Sequence, residues 1–237
     1  MAVGSKNLAK KSGEKLVAAP DRIPASPVAR PLTPGRAWAE TLWVFVLLES
    51  VLWTPRSLGH SVLIGLLLIS PIWLTWKTGY SRRELGLAWP QRRIAAWIVA
   101  AGLAIALTFP LGARLLGQPV PADPNWPRLS NILPYFMWAI FQQFLLQAFI
   151  FLRMELAVGK RFAVFASSAL FTVAHWPNVP LTILTLFGAL FFTDLFRRYR
   201  SIYPLGIAHF LMGISIAYSF PTSLMHHMRV GLSFGKM

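Results

Sequence analysis

Gln142, Gln143 and Gln147 interrupt the apolar run PYFMWAIFQQFLLQAFIFL, and His175 and His209 stand in two later apolar stretches. A neutral imidazole donates from one ring nitrogen and accepts on the other, and a carboxamide can do both, so these groups together can orient a water or hold a carbonyl. At membrane depth such side chains are costly unless they face a protein interior or serve a site. The simpler alternative for each of them alone is packing: Gln and His also hydrogen-bond neighbouring helices in lipid.

Their spacing narrows the choice. Gln143 and Gln147 are four residues apart and share a helix face, with Gln142 about 100° round from Gln143, so one wide polar stripe is expected. Phe171 lies one turn before His175 in Phe171-Thr-Val-Ala-His175 and can pack beside the imidazole. Pro177 and Pro180 end that helix and start the next, which keeps Asn178 close to His175. Phe171, Asn178 and Gln147 are therefore candidate substrate-binding residues beside the candidate catalytic set of Gln142, Gln143, His175 and His209.

A conventional proton acceptor would be a carboxylate. Glu49, in the middle of the first apolar stretch, is the one acid placed to serve if it faces the histidines. Asp194 has Arg197 and Arg198 within a helical turn and is expected to pair with them. Glu155 lies about 18 Å along the helix from Gln143, beside Arg153, and is too far. Zinc would find two histidines here without a thiolate or carboxylate beside them, and the chain has no His-Glu-x-x-His motif, so no cofactor is expected.

The elements that must position these groups are membrane helices. The chain of 237 residues is 55% hydrophobic and 14% aromatic, and its apolar runs reach spanning length. It has no Cys, which excludes disulfides, thiolate metal sites and a Cys nucleophile. A net charge of +15 would suggest nucleic acid in a soluble protein, but the basic residues sit between apolar runs, where they act as topology signals, and no nucleic-acid footprint remains.

Residues 1–36, with Lys6, Lys10, Lys11, Lys15 and five prolines from Pro20 to Pro34, read as a disordered basic tail that helps orient the first helix or meets anionic lipid. It has no long apolar stretch before Ala37 and is not a secretory signal. Residues 37–237 read as the transmembrane domain, with about seven spans: 38–56, 58–76, 93–116, 132–157, 162–176, 179–196 and 201–221. The fifth is short for a membrane of roughly 30 Å and needs burial among neighbours. With the amino terminus in the cytoplasm, eighteen of the 23 Lys and Arg fall inside and five outside, as the positive-inside rule favours. No internal repeat suggests a transporter built from inverted halves.

At its polar residues the chain resembles the CAAX-protease and bacteriocin-processing family (CPBP or Abi, the type II CAAX prenyl endopeptidases). That family carries Glu-Glu-x-x-x-Arg, then Phe-x-x-x-His, then a His followed four residues later by Asn or a similar residue. This chain reads Gln142-Gln143-Phe-Leu-Leu-Gln147, then Phe171-Thr-Val-Ala-His175, then His209-Phe-Leu-Met-Gly213, all within a motif-bearing core at 132–221. The resemblance implies an all-α polytopic bundle in a bacterial inner membrane. It also implies an intramembrane endopeptidase, a hydrolase of peptide bonds in a membrane-associated protein or peptide.

In the family the first-motif Glu activates a water, while the histidines and Asn assist and stabilise the oxyanion. Here a Gln amide replaces that base and Gln147 replaces its Arg, leaving a neutral site that is cheaper to bury. Peptide hydrolysis through His175 and His209, with Gln142 and Gln143 positioning them, is one expectation. A protease-fold protein that binds or regulates a membrane partner without cleaving it is the other.

Overall fold

The computed structural model describes residues 32–118 and 129–235. Most of the basic tail expected at 1–36 lies outside the described residues, but the tail ends earlier than the composition suggests. Thr33 caps a helix whose first residue is Pro34, its hydroxyl accepting from the Arg36 amide at 3.3 Å. Proline suits this position because the amide it lacks would have no intrahelical partner.

Among the described residues the fold is all-helical, in the order α1 (Pro34–Trp53), α2 (Leu58–Lys77), α3 (Arg92–Leu115), α4 (Leu129–Gln143), a π-helical segment (Phe144–Phe151), α5 (Leu152–Val158), α6 (Lys160–Val173), α7 (Val179–Tyr199), α8 (Ile202–Ser219) and the short α9 (Thr222–Met225). All seven expected spans are helical. Five have the length and apolarity to cross a membrane by themselves: α2, α3, the continuous stretch Ile132–Val158, α7 and α8. The other two differ for physical reasons. At 14 residues α6 is about 21 Å long, and α1 carries Arg36, Glu40 and Glu49.

The protein is thus a multi-pass membrane protein whose outward faces are apolar, with Val46, Ile69, Leu107 and Phe187 exposed. Trp53, Trp73, Trp76, Trp89 and Trp97 are also exposed, near helix ends where indoles favour the membrane interface.

Close helix approach is made by small residues. At Gly102 of α3 a Cβ would overlap Ala208 of α8, and at Gly206 it would overlap Ile140 of α4, so α8 is wedged against both neighbours. Ser215 of α8 adds a hydrogen bond to the Ala106 carbonyl of α3 at 2.5 Å. Small residues and interhelical hydrogen bonds take over here because lipid gives helices no hydrophobic reason to associate.

Arg153, expected at a cytoplasmic helix end, is instead fully buried. Its Nε and Nη2 donate to Glu40 Oε2 at 3.0 and 2.7 Å, its Nη1 donates to the Phe149 carbonyl, and its guanidinium lies 3.6 Å over the Phe149 ring. Arg36 holds the other Glu40 oxygen at 2.7 Å. The pair ties α1 to α5 and accounts for a carboxylate near the start of α1. Glu155 does not pair with Arg153; both its oxygens accept from Arg200, at 2.7 and 2.6 Å.

Candidate active site

Gln143 ends α4, and the π-helical turn that follows places Gln147 beneath it. Short π segments inside α-helices are frequent at functional sites, where the wider turn re-aims side chains. Both glutamines are fully buried. Gln147 Nε2 donates to Gln143 Oε1 at 3.2 Å and reaches Thr193 Oγ1 of α7 at 3.5 Å. With its oxygen so occupied, Gln143 presents its Nε2 to His209 Nδ1 of α8 at 3.1 Å. An amide nitrogen can only donate, so this arrangement suits the His209 tautomer that is protonated on Nε2.

His175 has the opposite arrangement. Its Nδ1 is 2.7 Å from the Phe171 carbonyl, which can only accept, so the ring proton is on Nδ1 and Nε2 keeps its lone pair. The Phe171 ring lies between the two histidines, its centroid 4.7 Å from that of His175 and 6.3 Å from that of His209. Phe192 stacks on His209 at 5.5 Å. One imidazole therefore offers a donor and its neighbour an acceptor, each clamped by aromatic rings.

Both histidines line a cavity of about 180 Å³ bounded by α1, α3, α4, the π-helical segment, α6, α7 and α8, together with Gln142, Phe171 and Tyr135. The rest of its wall is mainly apolar, and among the described residues no carboxylate lines it. Glu49 is not in the wall; its Oε2 accepts from Trp53 Nε1 at 3.1 Å on the same helix. Asp194 accepts from both Arg197 and Arg198. Of the three glutamines only Gln142 lines the wall; Gln143 lies outside it against His209, and Gln147 lies behind Gln143. Among the described residues no cluster of three His, Cys, Asp or Glu gathers that could hold a metal ion.

Asn178 is fully buried and does not line the cavity. Its Oδ1 caps α7 by accepting from the Leu181 amide at 3.2 Å, and its Nδ2 donates to the carbonyls of Met225 and Arg229 at 2.9 and 3.1 Å. Gly231 donates its amide to the Trp176 carbonyl at 3.0 Å. These bonds fold the carboxyl-terminal segment over the cavity, where Met228 and Val230 form part of its wall.

Tyr135 escaped sequence reasoning. Its hydroxyl lies against Gly213, filling the space that a Cβ there would need. Gly213 is the position four residues after His209, so a phenol occupies the place from which a third-motif side chain would project. Tyr135 is seven residues before Gln142, two helical turns on the same face, and that spacing was the available signal.

An all-helical membrane bundle with a histidine-lined internal cavity is the class that fold and site define. Residues 124–215 match the family model described as Type II CAAX prenyl endopeptidase Rce1-like. The match covers under half of the chain but spans all three polar motifs, and it bears out the resemblance read from them. No curated protein and no solved structure matches the chain.

Proposed function

We propose that the protein is a membrane-embedded endopeptidase of the CAAX-processing type in which a histidine replaces the carboxylate base. Its substrate is a membrane-associated protein or peptide. The observation that carries this reading is the pair of ring contacts at one cavity, the Phe171 carbonyl at His175 Nδ1 and the Gln143 amide nitrogen at His209 Nδ1, which suit an acceptor at His175 Nε2 and a donor at His209 Nε2.

In this mechanism a water gives a proton to His175 Nε2 as its oxygen attacks the scissile carbonyl carbon. The oxyanion that forms accepts a hydrogen bond from His209 Nε2–H, with the Tyr135 hydroxyl as a second donor. Cleavage of the C–N bond returns the proton from His175 to the leaving nitrogen, giving a carboxylic acid and an amine. Gln143 holds His209 in the required tautomer, and Gln147 holds Gln143. The family match supports this assignment of fold and reaction type.

The absence of a carboxylate from the described cavity wall favours a second reading, a protein that binds a membrane partner on the same fold without hydrolysis. The basic residues at the end where α2 finishes and α3 begins support placing that end, with the amino terminus, on the cytoplasmic side of the membrane, and the family resemblance supports a bacterial inner membrane.

Cleavage of a pooled membrane-peptide library by the protein in lipid tests both readings. Cleavage abolished in both His175→Ala and His209→Ala supports the peptidase. Library peptides that photo-crosslink to the cavity uncut, in conditions where a Glu-Glu family member cleaves, support the binding protein instead.

A further inference from the structure

The cavity that holds the histidines lies in one half of the bundle. Its wall takes Leu52 from the last turn of α1, Phe109 from the second half of α3, Tyr135 from the first half of α4, Phe171 from the last turn of α6, Leu181 from the first turn of α7 and Ile216 from the last turn of α8. These positions share one end because consecutive helices run in opposite directions. The wall passes the middle of the helices by about one turn, at Ile150 and Phe192.

The opposite end carries the basic loops, at 77–93, 159–161 and 197–200. Contacts gather them there: Arg200 donates to Glu155, and the Ile202 amide donates to the Gly86 carbonyl at 2.9 Å. Between these loops and the cavity stand the fully buried Phe149, Phe151, Met154, Phe196 and Leu205, with the Arg153 guanidinium over the Phe149 ring. Toward the other end, Met228 and Val230 of the carboxyl-terminal segment are themselves in the wall. Trp138 is in the wall and 40% exposed, so the wall reaches the surface in this half.

We propose that the cavity is served from the extracytoplasmic side, and that the peptide it receives is the outward-facing juxtamembrane part of an exported or membrane-spanning protein rather than a cytoplasmic segment. The inference rests on the orientation proposed above and on the cavity as the peptide site. Lys and Arg mark the cytoplasmic side of a membrane protein, so the packed aromatic layer faces the cytoplasm and the histidine cavity faces out. A peptide arriving from the cytoplasm would carry its amides and carbonyls through that layer, where unpaired backbone groups are costly. From the outer side it reaches His175, just beyond the end of α6, without crossing the layer.

The test uses the full chain in right-side-out membrane vesicles, with single-span carrier proteins that display one pooled peptide library beside the membrane, either outside or inside. Because the chain has no cysteine, Leu116→Cys and Arg161→Cys, introduced singly, report the orientation through an impermeant maleimide. Leu116→Cys is expected to be labelled from outside, and Arg161→Cys only after the vesicles are opened. Benzoylphenylalanine in place of Trp138 reports peptide binding by photo-crosslinking, which needs no hydrolysis. Outward display is expected to give at least about ten-fold more crosslinking than inward display, because inward peptides would have to bring polar groups across the membrane core. Equal or inward-favoured crosslinking, or none from either display, overturns the proposal with the orientation intact. The same outward preference with benzoylphenylalanine in place of Phe162, exposed at the basic end of α6, also overturns it. Labelling of Arg161→Cys from outside overturns it through the orientation. Outward-favoured crosslinking without cleavage upholds it and removes the peptidase reading alone.

Discussion

Gln143 and His209 are 66 residues apart in sequence and 3.1 Å apart in space, and their contact favours the His209 tautomer protonated on Nε2. A carboxylate at position 143 would do the reverse, accepting from Nδ1–H and leaving Nε2 bare. In the proposed mechanism Gln143 and the Nε2–H donor of His209 therefore work as a matched set.

Gln143→Leu should remove the tautomer control and lower peptide cleavage by roughly 100-fold, the scale of losing one oxyanion donor. Gln143→Glu, although it restores the family residue, should lower cleavage too and should destabilise the fold, since it buries a charge with Gln147 in place of the arginine partner. Steady-state cleavage and thermal unfolding in detergent check both. A gain of activity in Gln143→Glu would show that the site still expects a carboxylate.

Glu40 and Arg153 form a buried pair between α1 and α5, so loss of one partner leaves the other charge uncompensated. Glu40→Gln should cost about 3–5 kcal/mol, while the double change Glu40→Leu with Arg153→Met should recover most of that, because apolar replacement removes both desolvation terms. A double-mutant cycle on unfolding free energy measures the coupling.

Helix positions were legible in the sequence because apolar runs and their prolines report them directly: 58–76 was expected and Leu58–Lys77 is helical. The gathering of Gln143, His175 and His209 was legible in part, through the order of three motifs on three helices. Arg153 was not, because a basic residue at the end of an apolar run reads as a topology signal unless its partner, 113 residues away, is known. The π-helical turn was not legible either, since the run FLLQAFIF suits an α-helix equally well. Asn178 was placed near His175 correctly, but its amide is spent on backbone that no local pattern reveals.

Gly213 and Tyr135 test whether the phenol belongs to the site. Gly213→Ala puts a methyl where the hydroxyl now lies and should cost about 1–3 kcal/mol by overpacking. Combining it with Tyr135→Leu should recover stability but not cleavage. Tyr135→Phe alone should leave stability nearly unchanged and reduce kcat with little effect on KM, as expected for a donor used only in the transition state. Loss in KM alone would make Tyr135 a wall of the cavity and nothing more.

Asn178 holds two structures at once, the start of α7 and the carboxyl-terminal segment over the cavity. Asn178→Ala should cost about 1 kcal/mol for the lost cap, and more because the carbonyls of Met225 and Arg229 lose their shared donor. Asn178→Asp separates the two roles, since a carboxylate can still cap α7 but cannot donate to those carbonyls. In Asn178→Asp, limited proteolysis should therefore cut within 222–235 faster while the helical core stays intact. Because Met228 and Val230 belong to the cavity wall, release of this segment should also speed access of a small apolar probe to the histidines. Unchanged proteolysis in Asn178→Asp would mean that Gly231, bonded to the Trp176 carbonyl and packed on Leu52, holds the segment by itself.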